Sequence, residues 1–347
     1  MYLAKGAAAT TAIEGNTLSE EEVLKAVEGK LVVPSSRQYL KQEVDNIIAA
    51  CNDIGVRVAI GELEPLSSAL LCSFNRQVLD NLPVGEDVAP GELRKYSVVV
   101  GNMYRGAPSE DCPRLVERLC EWLNGPDFQS PENSPEGMDT VYAILRAVVA
   151  HLYLAWIHPF GDGNGRTARL LELHILLSAG VPSQAAHLLS NHYNQTRAEY
   201  YRQLDQASKS GGEITPFIEY AVRGFVDGLH EQIETIRMQQ WDVFWRDFVY
   251  EKFRSQNSKA ATRQRYLALD LGENAGWVEV GKVTKLSVRL AAAYAGNTTK
   301  TTQRDISALL EMGLIQRDGN KIRARRELIL SFLPLRSESA SAVYKRS

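Results

Sequence analysis

The chain has 347 residues, of which 44% are apolar and 23% charged, and it carries a formal net charge of −3. These values describe an ordinary water-soluble protein with enough chain for two or three domains, and they exclude a general affinity for nucleic acid or anionic membrane. Four cysteines, Cys51, Cys72, Cys112 and Cys120, form no Cys-x-x-Cys pair, which argues against zinc and for reduced, buried thiols in a cytoplasmic protein.

The N-terminal stretch lacks the apolar core of a signal peptide. Residues Ala7 to Ile13 are small and Ala-rich and predict a short helix ending near Gly15. On the residues alone, Glu14 at that end reads as a solvated acid at a frayed terminus. Ser19 and Glu22 make a capping box for a helix over Glu20 to Val27. Ser36 to Asp53 predicts a helix with Val44, Ile47 and Ile48 inward and Gly55 as its stop, and Leu66 to Leu82 predicts another. Ser97 to Val100 and Met103 to Arg105 flank Gly101-Asn102, a hairpin signal. Leu115 to Leu123 is amphipathic. A Pro-, Ser- and Gly-rich loop, Gly125 to Gly137, leads to a helix over Val141 to Ile157, with Asp139 as its cap. That helix is apolar on nearly every side and is expected to be buried all round. Arg146 and His151 within it mark a core helix, and no membrane partner is expected.

The stretch His158-Pro159-Phe160-Gly161-Asp162-Gly163-Asn164-Gly165-Arg166-Thr167-Ala168-Arg169 separates that helix from the next, Thr167 to Ala179, which stops at Gly180 with Pro182 beyond. Gly163, Asn164 and Gly165 tolerate positive φ, so successive N–H groups can curl into an anion-binding nest. The following helix aims its positive end at the same point. Arg166 and Arg169, three apart, fall on one side of the first turn and present planar forks for phosphate oxygens. Asp162 is a lone carboxylate beside the nest, suited to Mg²⁺ held jointly with substrate phosphates. His158 titrates near neutral pH and is the natural general base. Together these groups describe phosphate-transfer chemistry.

Beyond the motif, Arg197 to Ser208 predicts a helix whose Tyr200 and Tyr201 either stack on a nucleotide base or serve packing, and Thr215 to Ile236 continues in helix. Trp241, Phe244, Trp245 and Phe248 form an aromatic stripe at helical spacing, read as core or domain contact. Ser255 to Thr262 is polar and linker-like. Leu290 to Tyr294, then Thr299 to Met312 closed by Gly313, then Ile315 to Arg317 and Lys321 to Arg323 around Asp318-Gly319-Asn320, give helix, turn, helix and hairpin. That order resembles a winged helix. Lys300, Arg304, Arg317, Lys321, Arg323, Arg325 and Arg326 give it a basic surface, which favours DNA contact; a role in protein contacts weighs equally.

The motif resembles the signature of the Fic family, His-x-Phe-x-(Asp/Glu)-Gly-Asn-Gly-Arg-x-x-Arg, with every fixed position present. The resemblance covers Thr10 to about Leu229. It implies a mainly α fold, a Fic-type helical core with a small β-hairpin flap, here followed by the C-terminal winged helix. It also implies transfer of AMP from ATP to a Ser, Thr or Tyr hydroxyl of a target protein. By resemblance, His158 would deprotonate that hydroxyl, Phe160 would anchor the loop and Asp162 would hold Mg²⁺. Gly163, Asn164, Gly165 and Arg166 would bind phosphates, and Arg169 would hold the γ-phosphate. A kinase-like branch has Lys where this chain has Gly165, which points to nucleotidyl transfer. The hairpin would be the flap that takes the target segment as an added strand. Thr10-Thr11-Ala12-Ile13-Glu14-Gly15 resembles the inhibitory motif (Ser/Thr)-x-x-x-Glu-(Gly/Asn), whose glutamate pairs with the last signature arginine, here Arg169. The expected division is an inhibitory and helical region (1–60), a catalytic core (61–236), a helical linker (237–262), a winged helix (263–336) and a disordered tail (337–347). Two alternatives stand beside AMP transfer: removal of AMP by the same site, with Glu14 positioning water, and a DNA-binding regulator using the domain as a nucleotide sensor. An intact His158 speaks against the sensor. The sequence leaves DNA binding and a homodimer open.

Overall fold

The computed structural model describes residues 2–62, 64–100, 104–274 and 276–332. Two compact units are present, Met1–His230 and Glu231–Ser347. The class is mainly helical, as expected.

The first unit is built on two core helices, α6 (Met138–Ile157) and α7 (Asn164–Ser178), which pack on each other more extensively than any other pair. α3 (Gln38–Ala59) and α4 (Ser68–Val78) cover α7, and α5 (Cys112–Leu123) packs on α6. Leu152, Leu154, Leu171 and Leu176 at their centre are fully buried. α6 has the length and apolarity of a membrane span and packs on α5 and α7; it is half buried and not buried all round as expected, with Val141 in its first turns 45% exposed. α1 (Tyr2–Ala12) lies against α2 (Glu20–Val27), α3 and α9 (Leu188–Gln195). The first unit continues with α8 (Ser183–Ala186), which precedes α9, then α10 (Arg197–Lys209) and the first part of α11 (Thr215–Lys252). A short antiparallel pair, β1 (Val99–Val100) and β2 (Tyr104–Arg105), sets Val99 opposite Arg105. The tip of that hairpin, residues 101–103, lies outside the described residues, as does the tail from Ser337.

The predicted capping box is formed: Ser19 Oγ accepts from Glu22 N at 3.3 Å, and Glu22 Oε2 accepts from Ser19 N at 2.9 Å. Three local expectations are corrected. α1 begins at Tyr2, well before Ala7, because its small residues Ala4, Gly6, Ala7, Ala8 and Ala9 are all buried and tertiary packing extends the helix. α3 runs through Gly55 and ends only before Gly61, whose φ is +77°. Glycine in a helix interior costs only about 0.5–1 kcal/mol, which the packing of Cys51 and Ile54 outweighs. Asp139 does not cap α6: the cap is Gly137 in left-handed conformation, and Asp139 sits inside the first turn, where it accepts from Ser130 Oγ. The four cysteines are free. Burial pushes the Cys51 thiol up to about 12 and the Cys120 thiol to about 11.

The second unit takes the rest of α11 with α12 (Lys259–Glu273), α13 (Val288–Tyr294) and α14 (Thr299–Glu311). A three-stranded antiparallel sheet follows the order β3 (Val278–Glu279), β5 (Lys321–Ala324), β4 (Ile315–Asp318), with Ile322 opposite both Val278 and Arg317. α11 passes through the aromatic stripe instead of stopping near Ile236, and Trp245 is buried with its Nε1–H donating to the Ala268 carbonyl at 3.1 Å. Asp305, 2% exposed, accepts from Arg263 at 2.9 Å, Gln264 at 2.9 Å and the Tyr294 hydroxyl at 3.0 Å, so this buried charge is fully paired.

The approach of α1 to α9 rests on Gly6: a Cβ there would overlap the His187 ring. Glycine to alanine inside a helix ordinarily stabilises by roughly 0.5–1 kcal/mol. Gly6→Ala should instead lower the urea midpoint of the protein; a raised midpoint would mean that α1 does not pack this closely.

Candidate active site

The loop between α6 and α7 is held by backbone hydrogen bonds that long-range side chains provide. His158 ends α6 in left-handed conformation, with φ of +49°. Arg94, 4% exposed, grips this end from outside: its Nε donates to the His158 carbonyl at 2.7 Å, and its terminal nitrogens donate to the carbonyls of Tyr96 at 2.6 Å and Ala107 at 2.5 Å. Its backbone N donates to the Pro159 carbonyl at 2.9 Å. Arg94 thus ties the base of the hairpin to the catalytic loop. Phe160 is fully buried. Asn164 Oδ1 accepts from Phe160 N at 2.9 Å and its Nδ2 donates to the Phe160 carbonyl at 2.8 Å, closing the loop on itself. Asn75 Nδ2 donates to the Asp162 carbonyl at 2.9 Å from α4. The side chain of Asn164 is therefore used to shape the loop, and only its backbone N–H is left for a ligand.

α7 starts without a side-chain cap after Gly163, whose φ is +74°. The N–H groups of its first turn, on Asn164, Gly165 and Arg166, point out of the helix end, where the helix dipole favours an anion. Arg166, with 6% of its side chain exposed, donates to Glu43 Oε1 at 3.0 Å and to Asp162 Oδ1 at 3.2 Å. Arg169, with 1% exposed, donates through one nitrogen to Glu14 Oε1 at 2.5 Å and to the Thr10 carbonyl at 3.0 Å. Among the described residues its Nε and Nη1 have no hydrogen-bond partner. A Cβ on Gly165 would overlap Glu14 Oε1, so the acid lies directly on the first turn of α7.

Burial alone would raise the Glu14 carboxyl, but the charge and hydrogen bond of Arg169, with Arg166 and His158 nearby, hold it below the usual carboxylate value. Burial, helped by the Arg94 charge, pushes His158 below the ordinary histidine value; the hydrogen bond to Ala155 and the charges of Glu14 and Asp162 act the other way. His158 Nδ1 lies 3.3 Å from the Ala155 carbonyl, which assigns the proton to Nδ1 and leaves the Nε2 lone pair free. A cavity of about 170 Å³ is lined by Glu14, His158, Gly165, Tyr200, Tyr201 and Asp205, among others. The Tyr201 hydroxyl donates to the Ile13 carbonyl at 3.1 Å, fixing the end of α1 at this cavity.

The structure thus gathers His158, Asp162, Gly163, Asn164, Gly165, Arg166, Arg169 and Glu14 around one helix start. Sequence reasoning missed Arg94, Asn75 and Glu43. No cluster of three or more metal-ligating side chains occurs among the described residues. Asp162 has 49% of its side chain exposed, and its Oδ1 accepts from Gly163 N at 2.5 Å. A half-exposed carboxylate of this kind fits Mg²⁺ shared with phosphates rather than a protein-enclosed ion.

Residues 65–176 match the model of the Fic/DOC family. The chain is 33% identical over 234 residues to a protein adenylyltransferase fic-1 of Caenorhabditis briggsae, covering 67% of this chain and 42% of the relative. It is 32% identical over 214 residues to a protein adenylyltransferase Fic of Nematostella vectensis, covering 62% and 45%. It therefore spans less than half the length of these curated relatives. Among solved structures it resembles Fic-1 (residues 134–508) of C. elegans, with a TM-score of 0.53 and 28% identity over 66% of this chain and 62% of that one. It shares its fold with a Fic family protein of Desulfovibrio desulfuricans G20, at a TM-score of 0.54 and 20% identity, over 93% and 86% of the two chains. With its loop complete at every signature position and its core helices in this arrangement, the chain carries a domain of the Fic/DOC family.

Proposed function

We propose that this protein is a cytoplasmic enzyme that transfers AMP from ATP to a hydroxyl side chain of a target protein. The observation that carries the reading is one cavity lined by a base with a free Nε2, by Gly165 of an uncapped helix start and by Glu14, whose carboxylate is held by the buried Arg169. The target oxygen attacks the α-phosphorus as the bond to the β-phosphate oxygen breaks, and pyrophosphate leaves. His158 Nε2 takes the hydroxyl proton, a contribution of roughly 10²–10⁴-fold. The first-turn N–H groups, Arg166 and Arg169 take up phosphate charge. Asp162 would hold Mg²⁺, whose charge would help neutralise the phosphates.

In this reading Glu14 holds the enzyme off, because it claims the arginine edge a γ-phosphate needs. Arg169 is buried, with 1% of its side chain exposed, while Glu14 is 31% exposed, so the pair is desolvated on the arginine side only. Even about 1.4 kcal/mol of bias changes the competent population tenfold. With α-labelled ATP and a cell lysate, Glu14→Gly should transfer at least tenfold more label than the wild type, and His158→Ala in that background should abolish transfer while ATP still binds. Label that is removed faster by the wild type than by Glu14→Gly would favour AMP removal instead, with Glu14 positioning water.

The pH dependence follows from the position of His158. A base whose pKa lies below about 6.5 is neutral at pH 7. The transfer rate of Glu14→Gly should be level through pH 7 and fall only in more acid solution. Loss of the Glu14 charge removes one influence that raises His158, so this acid limb should lie lower than in the wild type. An acid limb centred above pH 7 would remove His158 from the role of base.

For the second unit we propose a winged helix that contacts duplex DNA. Residues 231–347 hold 20 Lys and Arg against 13 Asp and Glu, while the residues before them hold 19 against 29. Lys300 and Arg304 on α14, and Arg317, Lys321 and Arg323 on the hairpin, are exposed, and none forms an ion pair among the described residues. Elsewhere in the unit, Arg263, Arg289 and Arg326 are each paired with an acid. Charges left unpaired on a helix and a wing suit a phosphate backbone. Affinity for duplex should fall steeply with salt, and Lys300→Ala with Arg304→Ala should reduce the log–log salt slope by about 2. Absence of duplex binding at low salt would leave a protein-contact role for this unit.

A further inference from the structure

Asn16 and Glu43 have no part in the chemistry above, yet they join two of its elements. Asn16 lies two residues after Glu14 and is 7% exposed. Its Nδ2 donates to Glu43 Oε2 and to the Leu40 carbonyl, both at 2.8 Å, and its Oδ1 accepts from Leu18 N at 3.0 Å. Both donor hydrogens of the amide are therefore engaged, and both partners sit on α3. The other oxygen of Glu43 accepts from Arg166 Nη1 at 3.0 Å. One carboxylate, 18% exposed, thus holds an arginine of the catalytic loop with one oxygen and the segment after Glu14 with the other.

The two acids on Arg166 differ in how they are held. Asp162 is 49% exposed, against 18% for Glu43. An arriving phosphate would exchange with the exposed Asp162 edge, while the Glu43 edge keeps the guanidinium aimed. On the other side, Glu14 stands past the last turn of α1, followed by Gly15 with φ of +102°. Backbone hydrogen bonds close this turn, from Glu14 N and Asn16 N to the Thr11 carbonyl at 3.0 and 3.2 Å and from Gly15 N to the Ala12 carbonyl at 3.0 Å. The Asn16 side chain then ties the closed turn to α3.

We propose that Glu43 is a shared clasp: it positions Arg166 directly and, through Asn16, holds Glu14 over Arg169. Glu43 is a positioning residue here, and Asn16 is the tether of the inhibitory acid. The inference rests on the reading of Glu14 as an inhibitor. A merely structural role for Asn16, closing the loop between α1 and α2, would make its loss harmful in every background. A tether makes its loss activating, and only while Glu14 is present.

The test uses the full chain and Mg·ATP labelled in the α-phosphate. Asn16→Asp keeps the size and the acceptor for Leu18 N but sets a second carboxylate against Glu43. Asn16→Ala removes the tether without adding charge, and thermal melts check that each variant folds. Each should raise AMP transfer about tenfold in the wild-type background, the change that about 1.4 kcal/mol of lost bias produces. In the Glu14→Gly background, with ATP well above KM, each should change the rate by less than about twofold, because no inhibitor remains to release and Glu43 keeps its bond to Arg166. Glu43→Gln in that same background should raise KM for ATP several-fold, with a smaller effect on kcat, since it loosens an arginine that binds phosphate. If Glu14→Gly is activated but neither Asn16 variant is, the tether is overturned while the inhibitory reading stands. If the Asn16 variants lower the rate in both backgrounds, their role is structural and the proposal fails. If Glu14→Gly is itself no more active than the wild type, the inhibitory reading fails and takes the clasp with it.

Discussion

A buried guanidinium cannot stand without an anion, and Arg169 is such a group, with 1% of its side chain exposed and two of its nitrogens unbonded. In this state the anion is Glu14. The arrangement of the first unit follows from that need. α1 must reach the start of α7, so it is made of small residues that let it lie close against α3 and α9. Its C-terminal end must be held at the cavity, so Tyr201 donates to the Ile13 carbonyl. Position 165 must carry no side chain, because the Glu14 carboxylate fills the space a Cβ would take. The same vacancy would suit a phosphate approaching the first-turn N–H groups in the proposed reaction.

The signature loop and the stretch that carries Glu14 were legible in the sequence because each lies in contiguous residues. His158 to Arg169 sit within twelve positions, and Thr10 to Gly15 within six. What holds those residues in place was not legible. Arg94 is 64 positions from His158, and Asn75 is 87 from Asp162. Each acts on a backbone carbonyl, which every residue type possesses, so no pattern in the sequence marks the pair. Glu43 stands 123 positions from Arg166, and no local pattern ties it to the motif. The helix boundaries tell the same story at short range. Gly55 and Asp139 looked like a stop and a cap by local preference, and tertiary packing and a left-handed Gly137 overrode them.

Asn164 opens α7 in helical conformation, and the left-handed residue is Gly163 before it. Its side chain makes two hydrogen bonds to Phe160, which leaves the backbone N–H to face a ligand. Its amide stiffens the loop, so the N–H groups are aimed before a ligand arrives. Arg94 does the same for His158 from the opposite side, fixing the carbonyl while the imidazole keeps its Nδ1 on Ala155. Pre-aimed donors need little reorganisation when charge builds up in a transition state, which is where most of the catalytic effect of such a site resides.

The release of Arg169 by Glu14 that the proposed mechanism requires does not need α1 to leave. Ala4, Ala7, Ala8 and Ile13 are all buried, and exposing them would cost about 25 cal/mol for every Å² of apolar surface returned to water. The cheaper motion is local. Glu14 lies two residues past the last residue of α1, its side chain is 31% exposed, and Gly15 beside it has no Cβ to resist rotation. The carboxylate can turn towards solvent while the helix stays seated. Arg169, however, then loses its buried counter-charge, so the open state is disfavoured until another anion enters. A phosphate supplies that anion. In the proposed mechanism nucleotide and Glu14 therefore compete through a charge balance at one arginine, and how strongly Glu14 competes is set by how firmly the short segment after α1 is held.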